Sequence, residues 1–377
     1  MTGGGTRAGA GLVTLFLCGD VMTGRGIDQA LPHACDPRLR ESYLTSALGY
    51  VELAEAAHGP IPRPVDFAYV WGDALPELAR VRPDCRIVNL ETSVTRSEDC
   101  APKGINYRMA PENVPCLAAA GIDCCVLANN HVLDWGPAGL LETLATLERA
   151  GVASAGAGRD LDRAAAPAEL PLGGGGRVLV FAFGSVTGGI PAEWAAAPAR
   201  PGVNLLADLS PRTASRVAEQ VAALRRPGDI VVASIHWGGN WGYRVPPAQR
   251  DFARALIDDA GIDVVHGHSS HHPKGIEVHN DRPILYGCGD FLNDYEGIGG
   301  YAAFRGDLAL MYFVVLAAET GRLVRLEMTP LRIRRFRLNR ASRADAAWLR
   351  DTLARESAAF GTGVGLDEAD SLILAWG

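Results

Sequence analysis

The chain has 377 residues, 48% of them hydrophobic and 21% charged, with a formal net charge of −7. That length suits a single α/β layered domain with embellishments, and the composition excludes a disordered or fibrous chain. The modest negative charge, with Arg332 to Arg337 as the one short basic segment, excludes an electrostatic nucleic-acid surface.

The amino terminus, Met1 to Arg7, leads into the apolar run Gly11 to Cys18, which ends in Gly19-Asp20. That run is too short to span a bilayer and reads as a buried strand rather than a signal peptide, and no later stretch reaches roughly 18 uninterrupted apolar residues. The expectation is a cytoplasmic protein without a membrane anchor. From Leu31 to Pro64 a proline-containing stretch with Tyr43, Tyr50 and His58 reads as an insertion that shapes a substrate pocket. Short apolar runs then recur, each ending in polar residues: Arg86 to Leu90 before Glu91, Cys124 to Ala128 before Asn129-Asn130-His131, and Val178 to Phe183 before Gly184-Ser185. Ile230 to Ile235 precedes His236, Val264-Val265 precedes His266-Gly267-His268, and Ile284 to Gly287 precedes Cys288-Gly289-Asp290. Helical periodicity predicts helices over 139–150, 211–224 and 247–260, and Gly173 to Gly176 predicts a tight hairpin after an edge segment at 164–171. The whole chain, 1–377, reads as one domain, with a C-terminal extension near 340–377. The eight cysteines show no CxxC pair, and Cys124-Cys125 reads as strand core, so reduced thiols are expected.

The polar residues fall at strand ends, where sites of layered α/β proteins lie. Asp20, Glu91, Asn130, His236, His268 and His271 offer two carboxylates, an amide oxygen and three imidazoles, a set that suits two divalent ions sharing a carboxylate. Taken singly, Asp20 and Asn130 also suit helix caps, Glu91 a cap-region acid and each histidine a hydrogen-bonded core position. Mn, Zn, Fe, Ca and Mg all fit such ligands, and the ligand types do not choose among them.

The ordered motifs Gly19-Asp20-Val21-Met22, Asn89-Leu90-Glu91, Asn129-Asn130-His131, His236-Trp237-Gly238, Gly267-His268-Ser269-Ser270-His271 and Gly289-Asp290-Phe291 resemble those of the CapA-like family. That family is named for capsule and poly-γ-glutamate synthesis proteins and is similar in fold to calcineurin-like metallophosphatases. The resemblance runs from about Val13 to Asp294 and implies a two-sheet β-sandwich flanked by helices. It further implies that Asp20 and His271 bind a first metal, that Asn130, His236 and His268 bind a second, and that Glu91 bridges them. His131 takes the place of an unligated catalytic histidine, with Asp134 placed to orient it; a helix-capping role for His131 is the alternative. Ordinary metallophosphatases carry a histidine where this chain has Met22 and an aspartate where it has Glu91, which opens the first metal and weakens the case for simple phosphoesterase activity.

Within that resemblance the first reading is a peptide Cα epimerase acting on the C-terminal residue of a ribosomal lasso-peptide precursor, with His131 as one acid/base and Asp290 or Asp294 as the other. The alternatives are a metal-dependent phosphoesterase and a poly-γ-glutamate or capsule biosynthesis enzyme. Arg25, Lys103 and Arg108 are candidate counter-charges, and Trp237, Trp241 and Tyr243 candidate substrate contacts, for a peptide or other carboxylate-bearing substrate.

Overall fold

The computed structural model describes residues 11–377; the reading of Met1 to Arg7 lies outside the described residues. The apolar runs become strands of two sheets. In the larger sheet the order is Thr362–Leu366, Leu372–Trp376, Leu323–Ile333, Leu308–Ala317, Leu12–Val21, Cys85–Leu90, Cys124–Val126 and Ala153–Ala155, with short strands Asp290–Leu292 and Leu338–Arg340 added alongside. The smaller sheet runs Ile276–His279, Arg282–Leu285, Val264–His268, Ile230–His236, Arg177–Gly184 and Ala168–Pro171. The central strands of both sheets are parallel. Buried on both faces, they read as nearly continuous apolar runs rather than alternating ones.

Apolar side chains sort by face. Leu15, Leu17, Ile87 and Val126 of the larger sheet meet Val178, Val180, Val232 and Val264 of the smaller one in the core between the sheets. On the outer face of the larger sheet, Phe16, Val88 and Cys125 pack beneath helices Leu48–His58, Ala74–Val81 and Gly136–Arg149. Helices Pro211–Leu224 and Pro247–Asp258 cover the outer face of the smaller sheet through Val217, Val221, Phe252 and Leu256. The result is the expected two-sheet sandwich flanked by helices, with helical boundaries within three residues of those predicted. Gly173 to Gly176 turn the antiparallel hairpin whose first strand forms the sheet edge, and residues 161–165 ahead of it are helical.

The C-terminal 340–377 segment is built into the sandwich. Ser342 caps helix Arg343–Ser357 by accepting the Asp345 amide N–H, Leu349, Leu353, Leu372 and Leu374 enter the inter-sheet core, and the last hairpin extends the larger sheet through the Glu327 to Ile373 register. All eight cysteines are free and seven are buried, Cys124 and Cys125 among them. No helix among the described residues is long and apolar enough to cross a membrane.

Candidate metal centre

Strand register brings the candidate ligands together. Asp20 lies opposite Asn89 on one side and Asp290 on the other, while His236 lies opposite His268 across the two central strands of the smaller sheet. The close passage of the Asp20 strand against the Asp290 loop depends on Gly19: a Cβ there would fall 1.6 Å from the Gly289 carbonyl oxygen. The Asp20 amide N–H instead donates to that carbonyl at 3.0 Å.

Donors then converge in two groups. Asp20, His236 and His268 place one ligand atom each within 4.8 Å of one another, and so do Asp20, His271 and Asp290. Asp20 is the carboxylate common to both. Glu91 sits beside it, sharing the Asn89 side-chain amide, which donates to Asp20 Oδ1 at 2.7 Å and to Glu91 Oε2 at 3.2 Å. Glu91 is also 3.9 Å from His236 Nδ1 and 3.8 Å from His131 Nε2. Asn129 steadies this ladder by donating to Asn89 Oδ1 at 3.0 Å.

The histidine tautomers are set from behind. Ser234 Oγ lies 2.9 Å from His268 Nε2 and 3.0 Å from His266 Nδ1, and His266 Nε2 is 2.7 Å from the Cys18 carbonyl oxygen. The carbonyl can only accept, so His266 carries its proton on Nε2, Ser234 donates to His266 Nδ1, and His268 donates from Nε2 to Ser234. His268 Nδ1 is thereby left as a lone pair facing His236 Nδ1 at 2.9 Å. A second group orienting the ring of a ligand histidine in this way is the usual arrangement at metal sites. Burial holds both imidazoles well below their ordinary pKa, so both are neutral and able to ligate.

Two further observations fit a divalent cation. Asn130 Oδ1 is buried with no hydrogen-bond partner, which is costly unless something electropositive meets it. Burial, then the neighbouring Asp290, pushes the Asp20 carboxyl up to about 7, and burial with Asp20 raises Glu91 as well. These crowded carboxylates need a cation to stay ionised. The donor set therefore suits two hard or borderline divalent ions.

A raised carboxyl pKa favours the metal-free fold below the unfolded value near 4, and that contribution is lost as pH rises through about 7. Cation binding displaces the retained protons. Stabilisation by manganese, read as the melting temperature with metal minus that with chelator, is expected to grow from pH 5 to pH 8, with proton release on titration at pH 6. A metal effect that is flat across this range would contradict the carboxyl assignment.

His131 stands at the rim of the cluster. Its Nδ1–H donates to Asp134 Oδ2 at 2.7 Å, and Lys103 Nζ pairs with Asp134 Oδ1 at 2.7 Å. Asp134 is fully buried and also accepts the Tyr107 amide N–H at 2.6 Å, so it positions His131 rather than meeting substrate. Burial lowers the His131 pKa to about 4 despite Asp134, leaving Nε2 a neutral acceptor at pH 7. The Tyr107 ring packs edge-on against this imidazole at 4.4 Å between centres.

Several residues stand elsewhere than the sequence implies. Trp237 is buried in the outer core of the smaller sheet, donating to the Tyr286 carbonyl oxygen at 3.0 Å, because the residue after His236 points to the opposite face of its strand. It is no substrate contact. Arg25 is no free counter-charge either: it is 3% exposed, paired with Asp294 and with Glu41 at 3.0 Å, and stacked on Tyr50 at 3.8 Å. Arg25→Ala strands both carboxylates and is expected to destabilise the fold by about 3–5 kcal/mol, read as a lower denaturation midpoint. Arg108 pairs with Glu98, and Tyr243 packs on His272 at 4.5 Å instead of lining the adjoining cavity. Trp241 does line that cavity and Lys103 lines the metal pocket. Asp290, read from the sequence as an acid/base, is bonded to His271 Nδ1 at 2.8 Å within the second donor group. Asn89, Asn129 and the Ser234–His266 pair were not read as site residues; all are buried, Asn89 and Ser234 inside apolar runs and Asn129 and His266 directly after them, and that position was their signal.

The family model of the bacterial capsule synthesis protein PGA_cap matches residues 14–295. A probable polyglutamine synthesis accessory protein of Mycobacterium tuberculosis is 51% identical over 352 residues, 93% of this chain and 92% of that one. The PGA biosynthesis protein CapA of Bacillus subtilis is 30% identical over 247 residues, 65% of this chain and 60% of its own length. The capsule biosynthesis protein CapA of Bacillus anthracis is 28% identical over 199 residues, 52% of this chain and 46% of its own. With the matched region running from the first strand through the Asp290 loop, the chain belongs to the PGA_cap family of bacterial capsule synthesis proteins.

Proposed function

We propose that this chain is a divalent-metal-dependent enzyme of capsule-type polymer synthesis that hydrolyses an amide bond in a glutamate- or glutamine-based chain, with His131 moving the proton. The observation that carries the reading is the His131–Asp134 pair set at the edge of convergent donors from both sheets, with His131 Nε2 facing Glu91. The relatives' names, polyglutamine synthesis and PGA or capsule biosynthesis, support the capsule or poly-glutamate biosynthesis alternative over the peptide epimerase and the plain phosphoesterase. Neither of those draws support from them.

Asp20, His236 and His268 would hold one ion and Asp20, His271 and Asp290 the other, with Glu91 and Asn130 adjoining. Bound divalent ions would supply Lewis-acid polarisation of the scissile carbonyl. His131 Nε2 accepts a proton from the attacking water as the oxygen–carbon bond forms, and returns it to the departing amine as the carbon–nitrogen bond breaks. Asp134 fixes the ring and its tautomer throughout. Lys103, part-buried in the wall of the metal pocket and paired with Asp134, favours an anionic group near the reacting bond.

The test is incubation of manganese-loaded protein with blocked glutamine and glutamate oligomers in D₂O, followed by mass spectrometry, alongside p-nitrophenyl phosphate. Chelator-sensitive shortening of an oligomer is the expected result. Deuterium at an α-carbon without shortening would restore epimerisation, and phosphate release alone would make the chain a phosphoesterase; either overturns the proposal.

A further inference from the structure

Next to the metal pocket lies a larger cavity of about 560 Å³, and the two share Ile105, Tyr107, Asn240, His271 and Tyr295 as common wall. A substrate whose reacting bond sits at the metals therefore continues into this cavity. Its volume is in the range that encloses a small-molecule-sized segment. The mouth carries exposed apolar surface: Tyr43 is 59%, Tyr301 52% and Ile298 44% exposed. Trp241 and Tyr301 stack with ring centres 4.0 Å apart and planes 4° from parallel, forming one aromatic platform.

Charge in the cavity wall is already spoken for. Arg25 is held by Glu41 and Asp294. Arg305 pairs with Asp307 at 2.7 Å and Asp345 at 2.7 Å, and Arg332 with the same two carboxylates at 3.1 and 3.7 Å. Glu296 is met by His58 and by the backbone N–H groups of Arg335 and Phe336. The three wall guanidiniums are thus paired by Asp307 in the wall and by Glu41, Asp294 and Asp345 behind it, Glu296 is a second wall carboxylate, and the wall offers no unpaired cation among the described residues. A chain bearing a carboxylate on every residue would meet a neutral to negative field here, with no partner for its charges. Primary amides suit it: flat and uncharged, they lie on aromatic faces and bond with Asn240 and the Tyr107–Tyr295 hydroxyl pair, whose oxygens are 2.7 Å apart.

We infer that this cavity is a subsite for an uncharged, amide-bearing stretch of substrate, glutamine-type rather than glutamate-type. The inference rests on the proposed reading for the identity of the chain, and on the cavity alone for its charge preference. Lys103, itself paired with Asp134, lies in the metal pocket and not in this cavity.

The test is calorimetric titration of manganese-loaded protein with blocked pentaglutamine and blocked pentaglutamate at ~0.15 M salt, where charges beyond about 8 Å are screened. Pentaglutamine is expected to bind at least about tenfold tighter, a difference near 1.4 kcal/mol. Trp241→Ala and Tyr301→Ala should each weaken pentaglutamine about tenfold and leave metal content unchanged. Asp307→Asn, which releases both Arg305 and Arg332 from a shared partner, should tighten pentaglutamate. Equal or tighter pentaglutamate binding by the parent protein, absence of binding by either peptide, or pentaglutamine affinity unmoved in both aromatic variants overturns the subsite. Cleavage is read separately: pentaglutamine that binds as expected and is not cut leaves the subsite standing and overturns the hydrolytic reading instead.

Discussion

Asp20→Asn is expected to weaken retention of both divalent ions by at least about 100-fold, beyond the 10–100-fold typical of losing a residue that only supports a ligand. The substitution keeps the shape of the side chain and the hydrogen bond that the Asn89 amide makes to Oδ1, while removing the carboxylate charge common to both donor groups. It also takes away one of three crowded acids, so the metal-free fold should be at least as stable as the parent, since burial and Asp290 raise the Asp20 pKa to about 7. Metal content after desalting, together with a melting temperature in chelator, separates loss of binding from loss of fold. Retention of one tight ion would confine Asp20 to a single group and leave the bridge to Glu91, as the family resemblance has it.

Most of this candidate centre was legible because a metal site would need particular atoms, and those atoms stand out at the ends of apolar runs. His236, His268 and Asp20 end or nearly end strands whose register sets them side by side, so a one-dimensional pattern of strand followed by ligand already contained the geometry. The sandwich was legible for a similar reason: strands buried on both faces lose the alternation of half-exposed ones and read as solid apolar runs. What could not be read was the direction of side chains just past the strand ends and the pairing of long charged residues. Trp237 follows a ligand in sequence and points away from it in space. Arg25 stands five positions after Asp20 in the sequence, yet its partners, Glu41 and Asp294, lie 16 and 269 residues away. The cavity was equally hidden, because its aromatic platform joins Trp241 to Tyr301 from separate loops, and no local spacing encodes that meeting.

His131→Ala is expected to leave both ions bound and to lower turnover by about 10²–10⁴-fold, the usual worth of a positioned acid/base. The reason lies in its connections: Nδ1 is committed to Asp134 and Nε2 stands 3.8 Å from Glu91, outside both donor groups. Asp134→Asn tests the same pair from behind. An asparagine with its carbonyl in the Oδ2 position keeps the contacts with His131 and the Tyr107 amide and loses the one with Lys103, and it presents the imidazole with an amide in place of a charge. Turnover should fall with metal content preserved, and the two substitutions combined should cost little more than His131→Ala alone, because Asp134 acts through the ring it orients. If instead the double variant shows the full product of the single effects, Asp134 serves the reaction by some other route. If His131→Ala sheds metal, the residue belongs to the ligand set, and the proton must be handled by another group at the rim, with Lys103, 3.3 Å from His131 Nδ1, the nearest cation.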